Sequence, residues 1–315
     1  LQIQKAKRIS QKRGSLIVLE KSRQRIVFCM INKNLYRVIK CESDRFIVDV
    51  DGEFLRCASR KKIKDKKNIV VGDFVVVNIE EKIIEEVESR ENSLIRPLVS
   101  NVDQIIVIIA PLPRPDFFLI DKLIINAMRQ NLKVVVCVNK TDIDPELFGE
   151  IKDEYADVVK KIIGASAKNI DVDELEKTLK GNLSALAGQS AVGKSSLINA
   201  LRRNEKLVVG ELSQKAQKGK NTTTKSQLIR LKKNTYIIDT PGFYNLDIHD
   251  IEHHDLKIYY PEFTSHAHKC KFSSCTHTTE PDCEIRKRVD EGKINYDRYA
   301  RYVHFFMELK SIKKY

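Results

Sequence analysis

The stretch GQSAVGKSS, Gly188 to Ser196, decides how this chain folds. It fits the pattern GxxxxGK[ST], in which a glycine-rich turn after a strand points backbone N–H groups at a phosphate and the next helix begins with its positive dipole end facing the anion. SALA before it suits a buried strand, and SSLINAL after it suits an amphipathic helix. Gly188 and Gly193 would let the backbone close inward without Cβ clashes, with Gln189, Ser190, Ala191, Val192 and Ser196 completing the cradle. Lys194 would reach the β- and γ-phosphates, and Ser195 would place its hydroxyl on the magnesium ion that bridges them.

A second motif has already passed when this loop arrives. NKTD, Asn139 to Asp142, has the residues for reading guanine. The Asp142 carboxylate can accept from the ring N–H and exocyclic amine, Asn139 can brace the loop, and the Lys140 stem beside Thr141 can cover the base. Adenine offers no matching pair of donors. SAK, Ser166 to Lys168, adds a backbone N–H at Ala167 for the guanine carbonyl. Downstream, TYIIDTPG ends a strand in Asp239, a magnesium-holding carboxylate, and then offers the Gly242 N–H to a γ-phosphate. Between lies KGKNTTTKS, with Asn221 and Thr223 in a polar loop of the kind that orders around a γ-phosphate and magnesium. GTP and GDP are therefore the expected ligands.

The motifs run NKTD, SAK, GQSAVGKSS, TTT, DTPG, which is the order of a circularly permuted GTPase. Permutation keeps the site while moving the chain ends, so the segment after DTPG leads directly into whatever follows. From QIIVIIA at Gln104 onward, strands alternate with helices such as PDFFLIDKLIINAMRQN, the rhythm of a parallel sheet covered on both faces. In such sheets ligand loops sit at the carboxyl ends of strands, where NKTD, SAK and GQSAVGKSS all fall.

The chain has 315 residues, 42% of them apolar, enough for two or three domains with their own cores. The 56 Lys and Arg against 43 Asp and Glu leave a net charge of +13, which favours a polyanionic partner such as RNA. From Leu35 to about Glu91 the runs LYRVIKC, RFIVDVDG, EFLRCAS and NIVVGDFVVVNI suggest a small closed β-barrel. RKKIKDKKN between the third and fourth runs offers Lys61, Lys62 and Lys64 to a phosphate backbone. Apolar runs such as IIVIIA are too short to span a membrane. The basic first 29 residues lack the core of a signal peptide, and the first Met is Met30, so they read as an upstream extension or the product of a non-Met start.

Of the seven cysteines, Cys29, Cys41, Cys57 and Cys137 stand singly, which fits a reducing cytoplasm better than a disulfide framework. CKFSSCTHTTEPDC instead gathers Cys270, Cys275, His277 and Cys283 with spacers suited to one tetrahedral, structural zinc. A cluster of free buried cysteines is the alternative, but the residues between them are polar. His266 and His268 lie close upstream as possible competing ligands.

With RVIKCESDRFIVDVDGEFLRC, IRPLVSNVDQ, the permuted motif order and the Cys-rich end through CEIRKRVDEGKI, the chain resembles the RsgA (YjeQ) GTPases over about residues 35 to 305. These are circularly permuted factors in assembly of the bacterial small ribosomal subunit. The resemblance implies an extension over 1–34, an OB-type barrel over 35–92 that binds RNA, a P-loop GTPase domain over 93–250 and a zinc-binding helical domain over 251–315. It further implies a cytoplasmic, monomeric protein that hydrolyses GTP with magnesium on the small subunit and its rRNA, with no membrane. One departure concerns mechanism: Asn221 stands where many relatives have His, and Phe243, not Gln, follows DTPG. Asn221, switch backbone or the ribosome is left to position the attacking water. A permuted GTPase of the large-subunit assembly type would share the motif order but lack the barrel and the Cys cluster. A non-enzymatic RNA-binding protein is opposed by the intact Lys194, Ser195 and Asp239.

Overall fold

The structure, a computed structural model, describes residues 34–60, 68–94, 98–204, 227–239 and 247–312. Among them the chain divides into two compact units, the first running to Asn101 and including Gln227 and Leu228, the second taking the other residues from Val102 on.

The first unit is a closed five-stranded barrel of β1 (Leu35–Cys41), β2 (Phe46–Val50), β3 (Glu53–Ser59), β4 (Phe74–Asn78) and β5 (Ile83–Val87) in the order β1-β2-β3-β5-β4, with β1 closing on β4. All pairs are antiparallel except β3 with β5, an OB-type arrangement. Alternation does the folding: Val38, Val48, Cys57, Val75, Val77 and Ile84 point inward and form the core. The run NIVVGDFVVVNI is not one strand. It breaks at Gly72 (φ +92), where a Cβ would lie 2.1 Å from the Ser100 carbonyl oxygen. The next residue, Asp73, is fully buried and accepts from Ser100 Oγ at 2.6 Å and Arg90 Nε at 2.7 Å. Ser100 itself belongs to the short antiparallel pair of β6 (Ser93–Leu94) and β7 (Val99–Ser100).

The second unit holds a six-stranded sheet ordered β10-β9-β8-β11-β13-β12, from β8 (Gln104–Ile109), β9 (Lys133–Asn139), β10 (Lys161–Ala165), β11 (Leu183–Ala187), β12 (Leu228–Lys232) and β13 (Thr235–Asp239). The first five in that order are parallel; β12 is the edge strand, joined to β13 by the two-residue turn Lys233-Asn234. The helices are α1 (Phe117–Arg129), α2 (Glu146–Tyr155), α3 (Asp173–Leu179) and α4 (Lys194–Asn204), then α5 (Pro261–Thr264), α6 (Glu284–Asp290) and α7 (Tyr296–Ser311). Ile106, Ile108, Val135, Cys137 and Leu186 pack with Leu175 and Leu179 of α3 and Leu197 and Leu201 of α4. Their strand neighbours Ile105, Val107, Ile109, Val134 and Val136, facing the other way, are equally buried, and α1 packs against β8 and β9. Burial on both faces is why these strands read as unbroken apolar runs.

The C-terminal residues share this unit. Ile248, Leu256, Tyr260, Phe263, Ile285, Tyr302, Phe305 and Phe306 form one cluster, and Ile125 of α1 belongs to it. No helix among the described residues is long and apolar enough to cross a membrane.

Candidate active site and metal centre

Three loops at the carboxyl ends of parallel strands in the order β10-β9-β8-β11 carry the nucleotide motifs: NKTD after β9, SAK after β10 and, on the other side of β8, GQSAVGKSS after β11. The phosphate loop requires its glycines. Gly188 has φ +138 and a Cβ there would come within 2.2 Å of the Ile108 carbonyl oxygen; Gly193 has φ +97 and a Cβ would meet Asn139 Nδ2 at 2.3 Å. The second figure shows how closely the base loop presses on the phosphate loop. Buried Asn139 donates from Nδ2 to the Val192 carbonyl at 2.8 Å and accepts at Oδ1 from the Ala167 N–H at 3.3 Å. One carboxamide thus ties all three loops together. Lys140 extends over the same turn, with Nζ donating to the Ala191 carbonyl at 3.0 Å and to the Leu112 carbonyl.

Asp142 lies exposed at the mouth and accepts from Ser166 Oγ at 2.5 Å. That hydrogen bond, then one from its own backbone N–H and the charges of Lys168 and Lys140, holds its carboxyl below the usual range and keeps it an ionised acceptor. Thr141 ties the loop to β10 through the Ala165 carbonyl, and Asn169 N–H caps Ser166 Oγ. Lys194 opens α4 and its Nζ rests on the Gly188 and Gln189 carbonyls at 2.8 and 2.7 Å; Ser195 and Ser196 follow, exposed, in the same turn, and Ser190 is exposed at the loop tip. Gln189 is used differently from its neighbours: its side chain accepts from the Asp116 N–H at 3.0 Å and donates to the Arg114 carbonyl at 3.1 Å. β13 ends at Asp239. The side chain of Asp239, and Lys61, Lys62, Lys64, Asn221, Thr223, Gly242, Phe243 and the extension to residue 33, lie outside the described residues.

The metal centre is compact. The ligand atoms of Cys270, Cys275, His277 and Cys283 all lie within 4.8 Å of one another, and neither His266 nor His268 joins them. His277 Nδ1 is 3.6 Å from Cys270 Sγ and 3.5 Å from Cys283 Sγ, and those two sulfurs are 4.0 Å apart. A tetrahedron with metal–sulfur and metal–nitrogen bonds of about 2.3 and 2.05 Å has edges of roughly 3.8 and 3.6 Å, so the four donors fit a zinc-type ion. Burial, ahead of the Lys257 charge, lowers His277 to about 4, leaving the neutral imidazole that a metal takes. His277 sits at φ +63, and Glu280 shapes its loop. Burial works against the Glu280 carboxylate, yet hydrogen bonds from the Thr276 hydroxyl and from the N–H groups of Thr276 and Thr278 hold it down at about 2. Tyr299 and Tyr302 fix the same loop from α7 through the carbonyls of His277 and Thr276. Glu280 escaped the sequence reading, although TTE after the histidine is a loop-capping pattern.

Fold and site together define a circularly permuted P-loop GTPase with an OB-type barrel before the nucleotide domain and a Cys3His module behind it. A family model described as RsgA GTPase matches residues 87–249, and the chain belongs to the RsgA GTPase family. The small ribosomal subunit biogenesis GTPase RsgA of Ruminiclostridium cellulolyticum is 38% identical over 246 residues, covering 77% of this chain and 81% of that protein. Its namesake from Thermotoga neapolitana is 40% identical over 267 residues, covering 82% and 90%. Among solved structures, YjeQ from Thermotoga maritima superposes with a TM-score of 0.76 at 35% identity, covering 89% of this chain and 99% of that one. YloQ, described as a circularly permuted GTPase, gives 0.72 at 27% identity, covering 89% and 96%.

Proposed function

We propose that this protein binds the small ribosomal subunit and hydrolyses GTP to GDP and phosphate there, as a late assembly or maturation checkpoint in the cytoplasm. The observation that carries this reading is the match along most of the chain to proteins named for small ribosomal subunit biogenesis. The barrel and the Cys3His module, which a large-subunit permuted GTPase would lack, support the choice of partner. In this reading the barrel and its basic loop over 60–68 grip rRNA, the domain over 93–250 turns GTP over, and the module over 251–315 carries one structural zinc on Cys270, Cys275, His277 and Cys283. Magnesium, when bound, neutralises developing charge between the phosphates; Ser195 and Asp239 would hold it. Lys194 offsets phosphate charge, Asn139, Thr141 and Ser166 keep the base loop in place, and Asp142 selects guanine. The experiment that tests the whole reading is GTP turnover titrated separately with small and large ribosomal subunits: stimulation by the small subunit alone is expected, and equal stimulation by both would refute the partner.

Two further results are expected. Asp142→Asn replaces a two-acceptor carboxylate with a group that accepts at only one end, so GTP affinity should fall about 10–100-fold, the worth of hydrogen bonds to a charged partner. A competition titration with GTP and ATP checks it, and undiminished guanine preference would remove Asp142 as the base reader. Small-subunit binding should weaken steeply with salt as Lys and Arg displace counterions, and neutralising Lys61, Lys62 and Lys64 should flatten the log–log slope by about one per lysine. Co-sedimentation across a salt series, with a GTP analogue and with GDP, measures this. A slope unchanged by the triple substitution would take the loop out of the interface, and equal binding with both nucleotides would take the γ-phosphate switch out of the mechanism.

A further inference from the structure

Helix α1 is held at three places by groups that belong to three different parts of the second unit. At its start, Asp116 caps the helix by accepting from the Leu119 N–H at 3.0 Å, while the backbone N–H of Asp116 donates to Gln189 Oε1 of the phosphate loop. The other end of the Gln189 carboxamide donates to the Arg114 carbonyl, so both its polar atoms are committed to the three residues, 114–116, that lead into α1. In its middle, fully buried Asp121 accepts from Arg301 Nε of α7 at 2.7 Å, from Arg298 Nη1 of α7 and from the Tyr155 hydroxyl of α2 at 2.8 Å. Arg298 continues to Glu262 of α5 at 2.6 Å, and Arg301 to Glu154 of α2. In its last turn, Arg129 pairs with Asp250, a few residues after DTPG.

We propose that Gln189 is a positioning residue that joins the phosphate loop to α1, and that Asp121 joins α1 to the Cys3His module, so that nucleotide in the loop is felt by α7 through one rigid helix. The permuted chain order already gives the module one covalent connection to the switch, through the residues after DTPG. The α1 link is a second, non-covalent one, and it starts from the phosphate loop itself. The physical grounds are the two kinds of fastening. A carboxamide with both ends bonded to backbone cannot follow a moving loop without pulling on α1. At the other end, three carboxylates and two guanidinium groups are packed with almost no water contact, and any relative slip would leave a buried charge unpaired. Such an assembly shifts as a body or not at all. Coupling of this kind is reciprocal: whatever docks on the module must change nucleotide affinity by the factor by which nucleotide changes docking.

The inference rests on the reading of GQSAVGKSS as the nucleotide loop, and its test separates the two. Amide hydrogen exchange is followed over α7 in the zinc-loaded full-length protein, without nucleotide and at saturating magnesium and non-hydrolysable GTP analogue. In the wild type, exchange in α7 should slow by about fivefold or more on nucleotide binding, the low end of ordinary coupling. Gln189→Met keeps the side-chain length but removes both hydrogen bonds and, compared at nucleotide concentrations that saturate the variant by its own binding titration, should lose that response in α7. Asp121→Asn tests the far end without touching the loop; it lowers the charge of the network from one net negative to neutral, which favours a folded variant, and should lose the response as well. The two together should do no more than either alone. A full response in α7 in either single variant, or none in the wild type despite nucleotide binding, overturns the inference. Failure of the wild type to bind guanine nucleotide at all would instead overturn the nucleotide-loop reading, and the inference with it.

Discussion

Removing the metal should unfold the C-terminal module. Structural zinc contributes apparent binding free energies on the order of 10 kcal/mol in small domains, comparable to the whole stability of a typical protein. Here the module depends on it for a particular reason. The loop from Cys270 to Cys283 has polar residues between its ligands and supplies few apolar side chains of its own beyond Cys275 and Cys283, which sit in the module's core. Without a cation that core contains thiols and an imidazole in place of hydrocarbon. Elemental analysis should find one zinc per chain, and Cys283→Ser or chelation under reducing conditions should abolish the separate melting of this module. The chain has no Trp, so the readout is the tyrosine signal. Tyr260, Tyr299 and Tyr302 all lie in the module, two of them bonded to the metal loop, and their near-ultraviolet circular dichroism should collapse. An unchanged tyrosine spectrum in metal-free protein, or no metal in protein purified under reducing conditions, would rule out a folding role for the cluster.

The structure adds a consequence that the chain order alone does not. The module shares Ile125 and the Asp121 network with α1, so its loss exposes one face of the nucleotide domain. Asp121 and Glu154 would then be hydrated, not stranded, because what covers them is the part that unfolds. GTP binding should therefore survive metal loss, while its link to α7 does not.

The loops that carry the nucleotide motifs were legible because backbone geometry constrains their residues. Gly188 and Gly193 have no alternative at φ +138 and +97, and the permuted order of short motifs survives in any single sequence. The metal centre was legible because thiolate spacing is local. Other features depend on distant partners. β5, IIEEV, went unread as a barrel strand since Glu85 and Glu86 break its alternation, and the parallel partner that completes its pairing, β3, lies more remotely in the sequence than its hairpin neighbour β4. The break at Gly72 is set by Ser100 and Arg90, so VVGDFVVV looked continuous. The Asp121 network is spread over four helices, α1, α2, α5 and α7, whose charged residues suggest solvent. The available signal was position: Asp121 lies on the stripe with Ile124 and Ile125, and Arg298 and Arg301 on that with Tyr302, Phe305 and Leu309. A charge on an apolar stripe implies a buried partner, but which one only the fold can say.

Lys194→Ala should reduce GTP turnover about 10²–10³-fold, the effect of deleting one preorganised group that stabilises transition-state charge. The same loss should appear with the small subunit present, because a partner that positions water does not replace an ammonium on the phosphates. The geometry says why the lysine is suited. Its Nζ already lies across the loop, donating to the Gly188 and Gln189 carbonyls, neutral acceptors that bind an ammonium less strongly than a phosphate oxygen does. Lys140 is a poor substitute, because its Nζ is engaged with the Ala191 and Leu112 carbonyls. Ser195→Ala should cost a similar factor through magnesium, and the two should differ in their metal dependence. If Ser195 holds magnesium as proposed, raising magnesium should recover part of the Ser195→Ala rate by mass action and leave Lys194→Ala where it was. Both side chains are at the start of α4, outside the apolar cluster, so melting of the nucleotide domain should be unchanged in either variant. Wild-type turnover in Lys194→Ala, measured with and without small subunits, would mean that GQSAVGKSS holds nucleotide without acting on it.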